Sequence, residues 1–552
     1  MKKRKPPTNN SLLNFFTQTP EWSRWLVVFV GIAFLTYWRL FFHFFEQDEW
    51  MGLGLTYGKE LGVIAESGIL NALVFAQGRP LTQIFNTFFY LAFGFNLIPL
   101  TIFSITLHGL TGFSLFLVLQ KIRSAKYVNF AAVVIFLINI TSHQAVTWFA
   151  ASISVPLATC LLLVSILFFL YYLSTNRRDQ LILSIFLFYL SFLTKEMNAL
   201  FSFFYIFLFY LQRGGNWRSN LKTTSFFLVI TCTTLLRYLH YFFLSSEASG
   251  IMVKQSTANN SGLEVLFKNI ISAPLATVSQ LFIPAPFLFG WGYKINTLLF
   301  HGKYSAPYVE LSLSLVLSVI LTFGLLAVGV FLLVRGYLRW QNVIIGGFFY
   351  FLALLPLTII QKGNAYMESR YVYLPLVGIA IILAGLELKK RSVKVLAGTL
   401  IFFLLFITFQ STQIQSYLKE KTVVSMQRRT MVEQFQAQNI SSKKINFFYV
   451  SSKEDFIIPN QKLPFQQGVG YTLMVIYYSQ GVIPQSLLSQ GFMWDLSSQG
   501  YFSDGEYGFG YFYELEALKA AAQSLSPERY NLLRIDYSNK QLYITPAQLR
   551  SL

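Results

Sequence analysis

A series of long apolar runs separated by short loops rich in Lys and Arg constrains this chain more than any other feature. The first run, about Trp25 to Phe45, is preceded by Lys2-Lys3-Arg4-Lys5 and followed at once by Glu46-Gln47-Asp48-Glu49-Trp50. Roughly 20 apolar residues are enough to cross a bilayer, and basic flanks stay on the cytoplasmic side. The three carboxylates are therefore expected on the far side, where acids at a membrane boundary cost free energy and usually have a role.

Composition agrees with this reading. With 54% hydrophobic residues, 57 Phe and only 12% charged residues, the chain has more apolar surface than a soluble core can use. A net charge of +19 suggests a nucleic-acid partner until its distribution is considered. Residues 411–552 carry 13 basic and 11 acidic side chains, against 30 and 13 in residues 1–410. The excess belongs to the membrane part, so no nucleic-acid partner is expected.

Basic clusters fall at Lys2 to Lys5, Lys121/Arg123/Lys126, Arg177/Arg178, Arg213/Arg218/Lys222, Arg335/Arg339 and Lys389/Lys390/Arg391/Lys394. Placing all six in the cytoplasm gives spans at about 25–45, 97–119, 127–142, 148–173, 181–194, 197–211, 223–243, 308–334, 341–360, 371–388 and 393–410. These 11 crossings put the N-terminus in the cytoplasm and the C-terminus outside. The acids give a partial check, because of the 13 before position 411 only Glu21, Asp179 and Glu387 then face the cytoplasm. Two apolar stretches broken by Pro or Gly, Leu81 to Asn96 and Ile271 to Gly292, are expected as interfacial or re-entrant helices on the outer face. Leu181 to Leu211 has basic clusters at both ends, so it must cross twice, with Lys195-Glu196 at a recessed hairpin tip.

The expected fold is a polytopic α-helical membrane protein with a small C-terminal extracytoplasmic α+β domain. Its parts are a basic cytoplasmic N-terminus (1–24), a transmembrane domain (25–410), a helical linker (411–438) and the outer domain (439–552). Ile445 to Val450 and Leu532 to Thr545 alternate like strands, the latter with a turn at Ser538-Asn539. The first span reads as an uncleaved signal anchor, and the protein as integral to the plasma membrane if prokaryotic. Cys160 and Cys232 lie inside predicted spans and support neither a disulfide framework nor a metal site. There is no Gly-rich phosphate loop, zinc-type His spacing or repeat array.

Polar residues recessed on the outer side form the candidate site. They are Asp48 and Glu49, Arg79, His143, Lys195 and Glu196, Arg237, and Glu368, Arg370 and Tyr371. Carboxylates can act as a base or bind a cation, and the cations can hold a phosphate. Each has a plainer reading: the acids as the water boundary of a span, the arginines as snorkelling anchors, Lys195 with Glu196 as an internal ion pair, and His143 as a loop or packing histidine.

The stretches GRPLTQIFNTFFYLAFGFN (78–96), LHGL (107–110), FLTKEMNAL (192–200), LLRYL (235–239) and ESRYVYLPLVG (368–378) resemble signature segments of the GT-C superfamily of membrane glycosyltransferases. The similarity is closest to the protein O-mannosyltransferase and transmembrane-and-TPR O-mannosyltransferase branch, without the TPR repeats, and covers about residues 25–410. The resemblance implies a polyprenyl-phosphate sugar donor used on the extracytoplasmic face, with a first-loop acid as catalytic base. Asp48 and Glu49 both match that position. Arg79, Lys195, Arg237 and Arg370 would hold the donor phosphate, supported by His143, Glu196, Glu368 and Tyr371. It implies single-displacement inversion, a protein, lipid or glycan acceptor, contact with membrane lipids, and no redox cofactor, leaving a divalent cation open. A transporter or flippase would show paired halves or broken helices in corresponding positions, which this sequence lacks. A non-catalytic membrane scaffold would have no need of recessed acids and bases.

The alternation of basic loops predicts a labelling pattern. In a background without Cys160 and Cys232, Glu247→Cys and Asp504→Cys should react with an impermeant reagent from outside, and Arg218→Cys should not. Outside labelling at position 218 would overturn the span assignment.

Overall fold

A computed structural model describes residues 20–46, 48–57, 70, 73, 74, 76, 79–123, 125–213, 224–234, 236, 262–359, 368–387, 393–438, 444–451, 469–478, 483, 485–493, 498–504, 507–538 and 541–552. The chain forms two compact units. The first comprises 1–37, 103–146 and 155–414, and the second 38–102, 147–154 and 415–552.

Apolar helices make up the first unit. Among the described residues of the whole chain, six helices are long and apolar enough to cross a bilayer: Trp22–Phe42, Ile98–Ile122, Phe149–Thr175, Ala306–Val334, Trp340–Thr358 and Leu396–Ala437. A seventh candidate is the pair Ile270–Gln280 and Ala285–Phe300, bent by 96° where the sequence indicates a re-entrant segment. These helices mark an integral membrane protein. Among the described residues the expected count of 11 crossings is not reached at full length: 127–142, 181–194 and 197–211 fall on shorter helices, and 223–243 and 371–388 lie partly outside the described residues. Lys126–Leu137 has 12 residues, about 18 Å at 1.5 Å per residue. It stops where Asn139 turns the chain into a 3₁₀ segment, accepting from Thr141 N at 2.8 Å and donating to Leu281 O at 2.8 Å. Arg178–Thr194 and Ser202–Arg213 are separated by an extended Lys195 and a 3₁₀ turn. The Phe188 ring meets that of Tyr205 at 5.1 Å. These positions are nearly equidistant from the break, so the helices fold back on one another as a hairpin.

Between membrane helices, association rests on close packing and hydrogen bonds rather than on water exclusion. Gly346 and Gly378 show the first. A Cβ added to Gly346 would lie 2.4 Å from Gly378 O, and one on Gly378 would lie 2.6 Å from Gly346 O. His108 shows the second, with Nε2 at 3.0 Å from Leu137 O and Nδ1 at 2.7 Å from the Tyr373 hydroxyl. A carbonyl only accepts, so Nε2 carries the proton and, in the neutral ring, Nδ1 accepts from Tyr373. The stretches 107–110 and 368–378 thus meet at a buried hydrogen bond.

The second unit opens with helix α1 (Asp48–Tyr57) and helix α2 (Pro80–Phe93). Next comes α3 (Val393–Ala437), whose residues to Ile414 belong to the first unit and from Gln415 to the second. Its 45 residues span roughly 67 Å, about twice a bilayer's hydrocarbon thickness, so span and linker are one unbroken helix. The outer domain has strands β1 (Ile445–Val450), β2 (Gly500–Asp504), β3 (Tyr507–Phe512), β4 (Tyr530–Ser538) and β5 (Gln541–Pro546), with helices α4 (Val469–Tyr477) and α5 (Leu515–Gln523). The sheet order is β2-β3-β1-β4-β5, with β1 parallel to both neighbours and the outer strands antiparallel. β4 and β5 pair antiparallel with Ser538 opposite Gln541, and the turn expected at Ser538-Asn539 lies partly outside the described residues. The parallel centre and the β2–β3 hairpin are additions to the α+β expectation.

The Gly346–Gly378 contact carries a prediction. Gly378→Leu inserts a branched side chain where the helix backbones touch, and overpacking costs about 1–3 kcal/mol. Thermal unfolding of the solubilised protein should begin at lower temperature, while Gly347→Leu, at a position with open space around it, should leave it unchanged.

Candidate functional site

The predicted residues fall into two groups, one in each unit. In the second unit the segment 39–46 runs alongside α3. Arg39 Nε donates to Gln415 Oε1 at 3.0 Å, His43 Nε2 lies 3.2 Å from Leu418 O, and Lys421 Nζ meets Glu46 Oε2 at 2.9 Å. Arg428 Nη1 lies 3.9 Å from the other oxygen, Glu46 Oε1. Glu46 and Arg428 are both buried. Removing one partner of a buried ion pair leaves a charge that costs about 3–5 kcal/mol, so this contact fixes the segment to α3.

Glu49 is completely buried, and its two oxygens accept from Ala150 N and Glu46 N, each at 3.2 Å. A carboxylate enclosed and held by two backbone N–H groups orients the loop; it has no open face for an incoming hydroxyl. Asp48 is the first residue of α1, and its side chain lies outside the described residues. Gly52 and Thr56, four and eight positions on, line a cavity of about 230 Å³. Helical periodicity puts position 48 on that side of α1.

The cavity's other wall is α2. Arg79, Thr82, Gln83, Asn86, Thr87 and Tyr90 face it, a polar stripe at helical spacing. Ile84, Phe88 and Leu91 on the remaining surface are 61%, 56% and 65% exposed. Arg79 caps this helix in the left-handed region (φ 54°), and Ala76 shares that conformation (φ 49°). Such backbone strain costs of order 1–3 kcal/mol per residue and clusters at functional sites.

In the first unit Lys195, Arg370 and Tyr371 converge. Lys195 Nζ lies 5.7 Å and Arg370 Cζ 4.9 Å from the centre of the Tyr371 ring, and Arg370 pairs with Glu368. They border a cavity of about 20 Å³, room for about one water. Lys195 is buried at the break between its two helices, the recessed hairpin tip read from the sequence, and Glu196 begins the 3₁₀ turn beside it. His143 closes a separate 3₁₀ turn, its Nδ1 at 2.5 Å from Ile140 O. Arg237 lies outside the described residues.

Three contributors escaped the sequence reading: Glu46 as an ion-pair partner, Lys421 and Arg428 on the linker, and the polar stripe of α2. The linker did carry a signal. Leu418, Lys421, Ser425, Arg428, Val432 and Phe435 step alternately by three and four residues, a buried seam with two cations set into it. Among the described residues no three of His, Cys, Asp or Glu converge as a metal site.

The ion pair predicts a thermodynamic cycle. Arg428→Met and Glu46→Gln should each lower unfolding stability by about 3–5 kcal/mol, and the double variant should lose less than the sum of the two. Strict additivity would mean that the two side chains do not interact.

No protein-family model matches the chain, and no curated protein matches it.

Proposed function

We propose that the chain is an integral membrane glycosyltransferase that moves a sugar from a polyprenyl-phosphate donor to an acceptor hydroxyl on the extracytoplasmic face, with inversion. In this reading the N-terminus is cytoplasmic, the C-terminus is outside, and the shorter apolar helices complete 11 crossings. One observation carries the proposal: a polar cavity bounded by the helix that Asp48 begins and by the Arg79-capped polar face of α2. Thr, Gln and Asn side chains suit the hydroxyls of a sugar, and an arginine at the same wall suits a phosphate.

Asp48 is assigned as the base and Glu49 as the residue that orients it. Asp48 takes the proton of the acceptor hydroxyl as that oxygen bonds to the anomeric carbon. The bond from that carbon to the phosphate oxygen breaks, and the polyprenyl phosphate leaves with the electron pair. Arg79 stabilises the developing charge. A transport reading draws on the 96° break, but carriers have such breaks in corresponding pairs, and one bent pair is found among the described residues.

The test uses purified protein in lipid nanodiscs with a panel of polyprenyl-phosphate hexoses. Asp48→Asn should lower turnover about 10²- to 10⁴-fold with the unfolding temperature unchanged. Glu49→Gln should lower the unfolding temperature as well as activity, because a buried, doubly bonded carboxylate is lost. Arg79→Ala should raise the donor KM, and Arg79→Lys should restore it only in part because the bidentate fork is missing. Wild-type turnover by Asp48→Asn would remove the first loop from the chemistry.

A further inference from the structure

The outer domain carries a further cavity, of about 780 Å³, at the corner where α3 ends and β4 and β5 meet. Its volume is within the range of about 300–1,000 Å³ typical of ligand sites. Lys444 and Arg550 border it, and no carboxylate does. Neither cation has an ion-pair or hydrogen-bond partner for its charged group among the described residues. In a domain that carries as many acids as bases, a cavity whose charged lining residues are both cations is a selective feature.

The remaining groups narrow the ligand. Gln438 donates its amide N–H to Ile544 O at 3.1 Å, and Asn531 donates to Asn446 Oδ1 at 3.0 Å. Each amide uses one of its two N–H groups in this way, and its second N–H and its side-chain oxygen can serve the hydroxyl groups of a ligand. Tyr530 adds a half-buried ring, and an aromatic face suits the C–H surface of a pyranose. Pro546 ends the edge strand at the cavity. It has no N–H for an added peptide strand to pair with, which disfavours a peptide that extends the sheet.

We infer that this cavity binds an acidic oligosaccharide, with Lys444 and Arg550 holding its carboxylate or phosphate groups, Tyr530 stacking on a sugar ring and the amide oxygens accepting from its hydroxyls. The inference does not depend on the reaction proposed for the membrane part.

Calorimetric titration of the full-length protein in nanodiscs with hexagalacturonate, maltohexaose and hexaglutamate tests it. Hexagalacturonate should bind saturably and more weakly as salt rises, and maltohexaose should bind at least tenfold more weakly. The variant with Lys444→Glu and Arg550→Glu together should lose about tenfold or more in affinity for hexagalacturonate. Tyr530→Ala should weaken binding of hexagalacturonate without restoring that of maltohexaose. Both cations are away from the buried core, so an unchanged unfolding temperature checks the fold of the double variant. Absence of hexagalacturonate binding, equal binding by hexaglutamate, or full affinity in the double variant would each overturn the assignment.

Discussion

The second unit depends on the buried contact of Glu46 with Lys421 and Arg428. Charges removed from water are stable only when paired and well bonded, so this contact does more than add attraction. It couples two segments more than 370 residues apart in sequence, and a shift of either would leave a buried ion without its partner. The neighbouring contacts, Arg39 with Gln415 and His43 with Leu418, keep the same register. Glu49 extends the arrangement by binding Ala150 N and Glu46 N, and so fixes the start of α1.

The first unit solves a different problem. Between apolar helices in lipid there is little gain from excluding water, so contact depends on shape and on hydrogen bonds. The Gly346–Gly378 approach and the His108–Tyr373 bond supply both. Residues in the stretches that prompted the family resemblance therefore have structural duties beside any chemical one: Tyr373 and Gly378 pack and bond, while Arg370 and Tyr371, a few residues earlier, border a cavity. In α2 the division follows the faces of one helix, apolar outward and polar toward the cavity.

What was legible in the sequence followed from how strong and how local each signal was. Apolar runs such as Ile98–Ile122 and Ala306–Val334 are long enough to declare themselves. The segment 127–142 reads as a full span because its polar residues are few and scattered, and nothing local says that the Asn139 side chain will bond Leu281 as the helix ends. The break at Lys195 was legible because basic clusters on both sides demanded two crossings. In the outer domain β1, β4 and β5 alternate clearly, whereas β3, Tyr-Gly-Phe-Gly-Tyr-Phe, has glycines that argue against a strand. Gly510 serves its neighbour: a Cβ there would lie 2.6 Å from the Phe447 ring. The enclosure of Glu49 was hidden, since an acid beside a span end reads as exposed and only the fold brings Ala150 N and Glu46 N to its oxygens.

The most direct measurement is the anomeric configuration of the product formed from a polyprenyl-phosphate sugar in a single turnover, read by NMR. The account predicts transfer to a hydroxyl with inversion at the anomeric carbon, because one carboxylate base and a leaving phosphate make a single displacement. Retained configuration would require a covalent intermediate that this site is not proposed to form, and absence of transfer from every polyprenyl-phosphate sugar would contradict the glycosyltransferase assignment itself.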